Sequence, residues 1–543
     1  MKRKVLKRVS MSLIPLLAVG GLSGCGKLVN DPVQQNNSAE IESLSSVAEE
    51  ESQGFPISDE KITLKIAVMQ TGVQPDFNQI EMFQKYEEMT NIHIEWEMIP
   101  SEFVGERRNI IMASGEMPDA FMRCGFPTTD IENYAMQGMF VKLDDYIDKY
   151  APNFKEILEE YPDVNSGLRM SDGGIYSFPY VVSALSPRLS SKLFFNAKAL
   201  EAVNKELPVT TDELYDVLKS VADYDLNGNG QTDEIPLTGS IDSLIELFNG
   251  AWGLQTRGAS HPYVDVDENG ELRFIPTSEE YREVLEYIAK LYQEGLIDPD
   301  IFTLDYAKLS AKGEEGRVLS FSQINHSFMG QTYQEDYVGL DTALEGHGGE
   351  KTVPAASVLN AVGAFVITSA NKHVEETIRW IDYFYSEEGM QMYFMGEEGV
   401  TFEKAEDGSY QYLPIINNNP NGLSFEQALS LYVPWAGGCN PTVANNKYFQ
   451  GAAMKTVSLQ AANALEPYAT KIIWPSFTFS EEHNQTMATL STDIDTYVSE
   501  MRAQFITGQK PFSEWEDYVD EFEKIGLAEY MSIYEETAAR YEP

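Results

Sequence analysis

The chain has 543 residues, 43% of them hydrophobic and 11% aromatic, and a formal net charge of −46 at pH 7. That length supports two to four domains with sizeable cores. So acidic a chain, with no basic stripe, excludes nucleic acid as a partner, and its six scattered histidines show no i, i+4 pair of the kind that binds zinc.

The chain opens with Lys2, Arg3, Lys4, Lys7 and Arg8, continues in an apolar run over 11–19, and closes that segment on Leu22-Ser23-Gly24-Cys25. A basic head, a short apolar centre and small residues before a cleavage point read as a secretory signal over 1–24. The run is too short for a permanent span, which needs roughly 20 apolar residues. Leu-Ser-Gly-Cys resembles the bacterial lipobox. The resemblance implies that Cys25 is lipidated and that the body is tethered to the extracellular face of a bacterial cell membrane. Residues 25–60 are polar and acidic, with Gln34-Gln35-Asn36-Asn37-Ser38 and Glu49-Glu50-Glu51, and read as a disordered tether. Such a tether reaches roughly 30–35 Å.

Ile62, Leu64, Ile66 and Val68 alternate with polar neighbours and predict a strand. A helix over 78–88, a strand through Ile92, Ile94, Trp96 and Met98, a helix over 103–113 and a strand over 118–122 follow. That alternation predicts a parallel α/β sheet, with ligand at the carboxyl ends of its strands, near Gln70 and Arg123. Further on, 194–196 reads as a strand and 212–222 as a helix. Thr277-Ser278-Glu279-Glu280 reads as a capping box opening a helix with an apolar face of Tyr281, Val284, Leu285, Ile288 and Leu291, stopped at Gly295. A strand over 361–367 and a helix over 373–385 come next. Near the end, Met487, Leu490, Ile494, Tyr497, Val498, Met501 and Phe505 form one apolar helical stripe, and a last helix passes through Trp515, Tyr518, Val519 and Phe522. Apart from Cys25, only Cys124 and Cys439 are present; they read as free thiols, although a pairing stays open from sequence.

The sharpest internal motif is Asp225-Leu226-Asn227-Gly228-Asn229-Gly230-Gln231-Thr232-Asp233-Glu234. Oxygen side chains at positions 1, 3, 5 and 9 and a glycine at 6 match the front of an EF-hand loop, because a hard cation needs several oxygens around a tight turn. Position 12 is Pro236, so Glu234 is left to supply the bidentate carboxylate. The expected Ca2+ ligands are Asp225, Asn227, Asn229, Asp233 and Glu234 by side chain and Gln231 by its carbonyl. The other reading is an Asn/Gly-rich loop that binds nothing.

This segment, with Ser114-Gly115-Glu116-Met117-Pro118-Asp119, the Asp172-Gly173-Gly174-Ile175-Tyr176 to Pro179 block, Gly295-Leu296-Ile297-Asp298-Pro299, the helix around Trp380 and the ending from Phe505 to Leu527, resembles the extracellular solute-binding proteins of ABC importers, in the oligosaccharide-binding group that includes alginate-binding proteins. The resemblance covers about 60–540. It implies an α/β fold of two periplasmic-binding-protein-like lobes about a hinge, with ligand in the cleft. One lobe would hold 61–181 and 356–400, the other 182–355 and 401–543. It also implies an oligosaccharide ligand, permease subunits as partners, a membrane contact through the lipid, a structural Ca2+, a monomer and no catalysis.

Sugar recognition combines aromatic faces with planar polar side chains. Trp252 and Trp435 lie in glycine-bearing stretches and are the expected stacking residues, followed by Trp474. Tyr180 near the hinge, Arg123 and Gln70 at strand ends, and Gln323 at the end of a strand in the other lobe complete the expected ligand set. The alternative is a secreted glycoside hydrolase, which needs two carboxylates about 5–10 Å apart across a cleft; no catalytic motif singles out such a pair.

Overall fold

The computed structural model describes residues 54–541, except His347 and Ser424. The signal segment, Cys25 and residues 26–53 lie outside the described residues; the expected tether to residue 60 is corrected at its end, because Ile57 is buried in the first core and its N–H donates to the Thr90 carbonyl.

Two sheets organise the chain. Their strands are β1 (Ile62–Gln70), β2 (Ile92–Pro100), β3 (Ala120–Phe126), β4 (Phe178–Val182), β5 (Lys192–Asn196), β6 (Thr238–Gly239), β7 (Ser320–Gln323), β8 (Tyr337–Gly339), β9 (Leu359–Ile367) and β10 (Val443–Ala444). The first sheet has the order β10-β4-β9-β3-β1-β2 and the second β8-β5-β7-β6. In β1, Ile62, Leu64, Ile66 and Val68 are buried while Thr63 and Lys65 face water. Each such side chain contributes about 1.5–3 kcal/mol on burial. Ala67 is buried as well, so the alternation ends where both faces of the sheet are covered. β1 pairs in parallel with β2 and β3, and helices Glu81–Thr90 and Val104–Ser114 make the crossovers that parallel neighbours require.

The first of these helices starts three residues later than its periodicity predicts. The Asp76 carboxylate accepts from the Asn78 N–H and closes a separate 3-10 turn, Phe77–Gln79, ahead of it. β3 runs on to Phe126, beyond the predicted 118–122, because β9 pairs along it antiparallel as far as Phe126. At 279–293 the cap is Ser278 alone, its hydroxyl accepting from the Tyr281 N–H. A reciprocal capping box instead opens helix Thr211–Val221, between Thr210 and Glu213. The apolar stripe of the long helix Glu481–Thr507 is buried from Met487 to Phe505, with only Tyr497 half-exposed.

β9 lies antiparallel between β3 and β4, and β10 joins β4 in parallel. The chain therefore crosses between the sheets at 183–191, 340–358 and 445–456. Each sheet has its own core: Leu64, Phe121, Phe178, Phe365 and Trp380 in the first; Leu214, Phe248, Ile288, Ile494 and Trp515 in the second. The fold is α/β and two-lobed. One expected boundary is corrected. The resemblance places residues from 401 onward in the second lobe, yet Phe402, Tyr410, Ile416, Leu429, Val433 and Tyr448 belong to the first core. Phe402–Lys404 and Tyr410–Tyr412 form a hairpin packed there, and β10 is an edge strand of the first sheet. The third crossing therefore follows β10 rather than residue 400.

Candidate ligand-binding cleft

The carboxyl ends of β1 and β3 face a loop, 434–440, that carries Trp435. Arg123 is fully buried and adopts φ +61°, a left-handed conformation unusual for a residue other than glycine. Its guanidinium grips that loop by its backbone: Nη1 donates to the Pro434 carbonyl at 2.6 Å, Nη2 to the Ala436 carbonyl, and Nε to the Gly438 carbonyl at 3.4 Å. Asn440 takes the alternate carbonyls, with Nδ2 donating to Trp435 at 3.2 Å and Gly437 at 3.1 Å. The Tyr393 hydroxyl fixes Asn440 through its Oδ1. Gln74 Nε2 adds a second bond to the Pro434 carbonyl at 2.6 Å. Neither Gln74 nor Asn440 was singled out from sequence; amides that bind backbone carry no local signature. Burial pushes the Arg123 pKa down from its usual value, although a guanidinium stays charged.

The loop runs on through Phe449, whose ring meets Trp435 edge-on at 5.5 Å, into a groove of about 500 Å³ that spans both lobes. Tyr410, Tyr412 and Phe425 line it from the first core, His326 and Glu335 from beside the second sheet, and Gln450 and Lys455 from the third crossing. Aromatic faces beside amide and charged tips suit a polyhydroxylated ring. Lys455 Nζ sits 6.0 Å over the Phe425 ring. His326 bonds Ser458 Oγ at 2.7 Å, and burial pushes its pKa down to about 4, so it is neutral near pH 7. Two other hollows, about 380 Å³ beside helix Glu81–Thr90 and about 690 Å³ beside Leu272 and Glu535, each lie against a single core.

The other expected ligand residues are dispersed. Trp252 caps helix Ile241–Ala251, is 7% exposed, and belongs to the second core; its Nε1 donates to Glu283 at 3.0 Å. Trp474 has no exposed surface and packs with His261 and Phe477. A glycine beside a tryptophan suggests a loop, but Gly250 and Gly253 are there to admit neighbouring chain: a Cβ on Gly250 would stand 2.1 Å from the Thr352 carbonyl oxygen. Neither ring presents a free face for stacking. Trp435 is 8% exposed and packs against Phe449. Tyr180 lies buried on β4 with its hydroxyl near Asn440. Gln70 Nε2 donates to the Gln74 and Pro75 carbonyls, shaping the end of β1. Gln323 ends β7, half-buried. Cys124 and Cys439 are both free thiols.

The 225–234 loop turns its oxygens inward. Asp225 accepts from the Asn229 and Gly230 N–H groups, Asn227 from Asn229, and Asn229 from Gln231. Gly228 and Gly230 have φ +72° and +76°, a bend costly for other residues. Glu234 accepts from the Leu226 N–H across the loop. No group of three or more His, Cys, Asp or Glu side chains placed to hold a metal occurs among the described residues. The donor set here is instead mixed, with two amides among its carboxylates. A hard cation accepts such a set, so these residues fit Ca2+ by chemistry. The loop leads from helix Thr211–Val221 to Ile235, which bridges to Val318.

Two sheet-centred lobes, linked by three crossings and sharing a groove, define a solute-binding protein of the importer-associated class. Residues 81–421 match the bacterial extracellular solute-binding protein family, and the chain belongs to it. It is 28% identical over 510 residues to the fructooligosaccharide ABC transporter substrate-binding protein FusA of Streptococcus pneumoniae, covering 90% of this chain and 92% of FusA. It is 24% identical over 489 residues to the lipoprotein LipO of Bacillus subtilis, covering 87% and 92%. The FusA structure in complex with kestose superposes with a TM-score of 0.72 over 87% of this chain and 97% of FusA. The alginate-binding protein AlgQ2 without calcium ion, 21% identical, shares the fold with a TM-score of 0.70, covering 89% and 98%.

Proposed function

We propose that this protein captures an oligosaccharide between its lobes and delivers it to the permease of an ABC importer. The observation that carries this reading is the likeness to FusA over nearly the whole of both chains, joined to a two-lobed groove lined by Tyr410, Tyr412, Phe425 and polar tips. Trp435 and Gln323 are the proposed contacts retained from sequence. Binding and closure need no chemistry from the protein; a hydrolase would need a carboxylate pair across the cleft. The protein is proposed to act as a monomer, lipid-anchored through Cys25; LipO, a lipoprotein, supports the anchor. Calorimetry with kestose and a panel of other oligosaccharides, with chromatography of the mixture afterwards, tests the reading. Saturable heat with intact sugar is expected. Released product would favour the hydrolase, and silence across the panel would remove the oligosaccharide.

Ca2+ is proposed for the 225–234 loop, held by Asp225, Asn227, Asn229, Asp233 and Glu234 and the Gln231 carbonyl. An EF-hand variant of FusA is among the similar structures, which supports a cation loop of this type. The ion would cross-link helix Thr211–Val221 to the Ile235 segment. Chelation with EDTA should lower the melting temperature by several degrees, and Asp225→Ala should abolish that response. Equal melting curves with and without chelator would count against the site.

A further inference from the structure

Asparagine followed by glycine is the step at which a chain most readily attacks itself, because glycine has no Cβ to keep its backbone nitrogen from the neighbouring side-chain amide. Such steps stand at 227–228, 229–230, 249–250, 269–270 and 421–422. Asn249 is buried in helix Ile241–Ala251. At three of the others the glycine N–H is already committed: Gly230 donates to Asp225 Oδ2 at 2.8 Å, Gly270 to the Asp267 carbonyl at 3.2 Å and Gly422 to the Asn419 carbonyl at 3.0 Å. The Gly228 N–H donates to no protein acceptor among the described residues, and Gly228 is exposed with φ +72°. Its neighbour Asn227 is weakly held. Asn227 Oδ1 shares the Asn229 N–H with Asp225, each at 3.1 Å, and Asn227 Nδ2 donates to the Glu315 carbonyl at 3.1 Å. Attack requires the side chain to swing Cγ onto the Gly228 nitrogen, and only these solvent-exposed bonds oppose the swing. A hard cation that takes Oδ1 as a ligand opposes it far more strongly.

We propose that Asn227 is a deamidation site that Ca2+ keeps closed, so that a loop left without the cation loses its ability to hold it. This rests on the cation reading above. The Gly228 nitrogen adds to Asn227 Cγ, the side-chain nitrogen leaves as ammonia carrying the Gly228 proton, and the cyclic imide takes up water to give aspartate or isoaspartate. Isoaspartate adds a methylene to the main chain and breaks the spacing that turns the oxygens at 225, 227 and 229 inward. The tie between helix Thr211–Val221 and the Ile235 segment is then lost.

The unaltered protein is aged in warm, mildly alkaline buffer with EDTA or with Ca2+. Peptide mass mapping follows deamidation at each step, and isoaspartyl methyltransferase labelling reads the isoaspartate. With chelator, Asn227 should convert ahead of Asn229, Asn269 and Asn421. Only the unfilled fraction of the loop reacts, so free Ca2+ at about 100 times its dissociation constant should slow conversion at 227 roughly 100-fold. Rates at 269 and 421 should not change. The aged protein should lose the response of its melting temperature to chelator in step with isoaspartate at 227. Conversion at 227 no faster than at 269 or 421 overturns the site, and equal slowing at all three overturns the cation's part in it. If Ca2+ raises the melting temperature yet leaves the rate at 227 unchanged, the control by Ca2+ falls and the cation loop stands. If Ca2+ alters neither, both proposals fall. A chelator response that survives full conversion to isoaspartate overturns the loss of the cation.

Discussion

Arg123→Ala should be among the most destabilising single substitutions in the first lobe, costing about 3–5 kcal/mol. The guanidinium satisfies the carbonyls of Pro434, Ala436 and Gly438 at once. Truncation leaves those acceptors short of donors, with only Pro434 keeping a bond, from Gln74. Each buried acceptor without a donor costs about 1–3 kcal/mol. Relief of the left-handed backbone offsets little, since alanine also disfavours φ > 0. The lysine variant tests the geometry rather than the charge. An ammonium on a flexible stem does not reproduce the planar fork that meets three carbonyls, so Arg123→Lys should recover only part of the loss. Thermal melting together with hydrogen exchange over 430–448 reads both effects. A normal melting temperature with unchanged exchange in that segment would show that the loop holds its shape without the arginine.

The clamp also marks the limit of what the sequence discloses. Strand alternation at Ile62–Val68 and the helical stripe at Met487–Phe505 are one-dimensional signals of burial, and both elements formed on the expected faces. The 225–234 loop stands out in the sequence because oxygen-bearing side chains recur there at fixed spacing. Arg123 was marked by its position at a strand end, but its partners lie more than 300 residues away and are backbone oxygens with no residue identity to read. The same reasoning explains the boundary error at 401. The hairpin Phe402–Lys404 and Tyr410–Tyr412 and the edge strand β10 are short, and they return to the first core through tertiary packing that no local period announces. The groove is built from that returning segment. Tyr410, Tyr412 and Phe425 carry no local signal that sets them apart from core aromatics, whereas the bulk of the tryptophans is more often spent on a core.

Trp252→Ala should unfold the second lobe at lower temperature while leaving ligand affinity unchanged. The indole is held on several sides: Phe248 edge-on at 6.5 Å, Tyr287 at 5.5 Å, and Glu283 accepting from Nε1. Gly346 packs against it. A Cβ on Gly346 would lie 1.9 Å from the Ala251 carbonyl oxygen and 3.2 Å from Trp252 Cε3, so only glycine allows the backbone so near the ring. Emptying the site removes a large buried side chain and strips Glu283 of its donor, together about 3–5 kcal/mol. A stacking residue behaves in the opposite way, losing binding and keeping stability. Two measurements on one variant, the melting temperature and the dissociation constant for whichever oligosaccharide binds, therefore separate the roles. Trp252→Phe refines the test: it refills most of the volume without the N–H, so it should restore much of the stability. A Trp252→Ala protein that melts normally but has lost its sugar would return this ring to the cleft and would require the second lobe to open around it on binding.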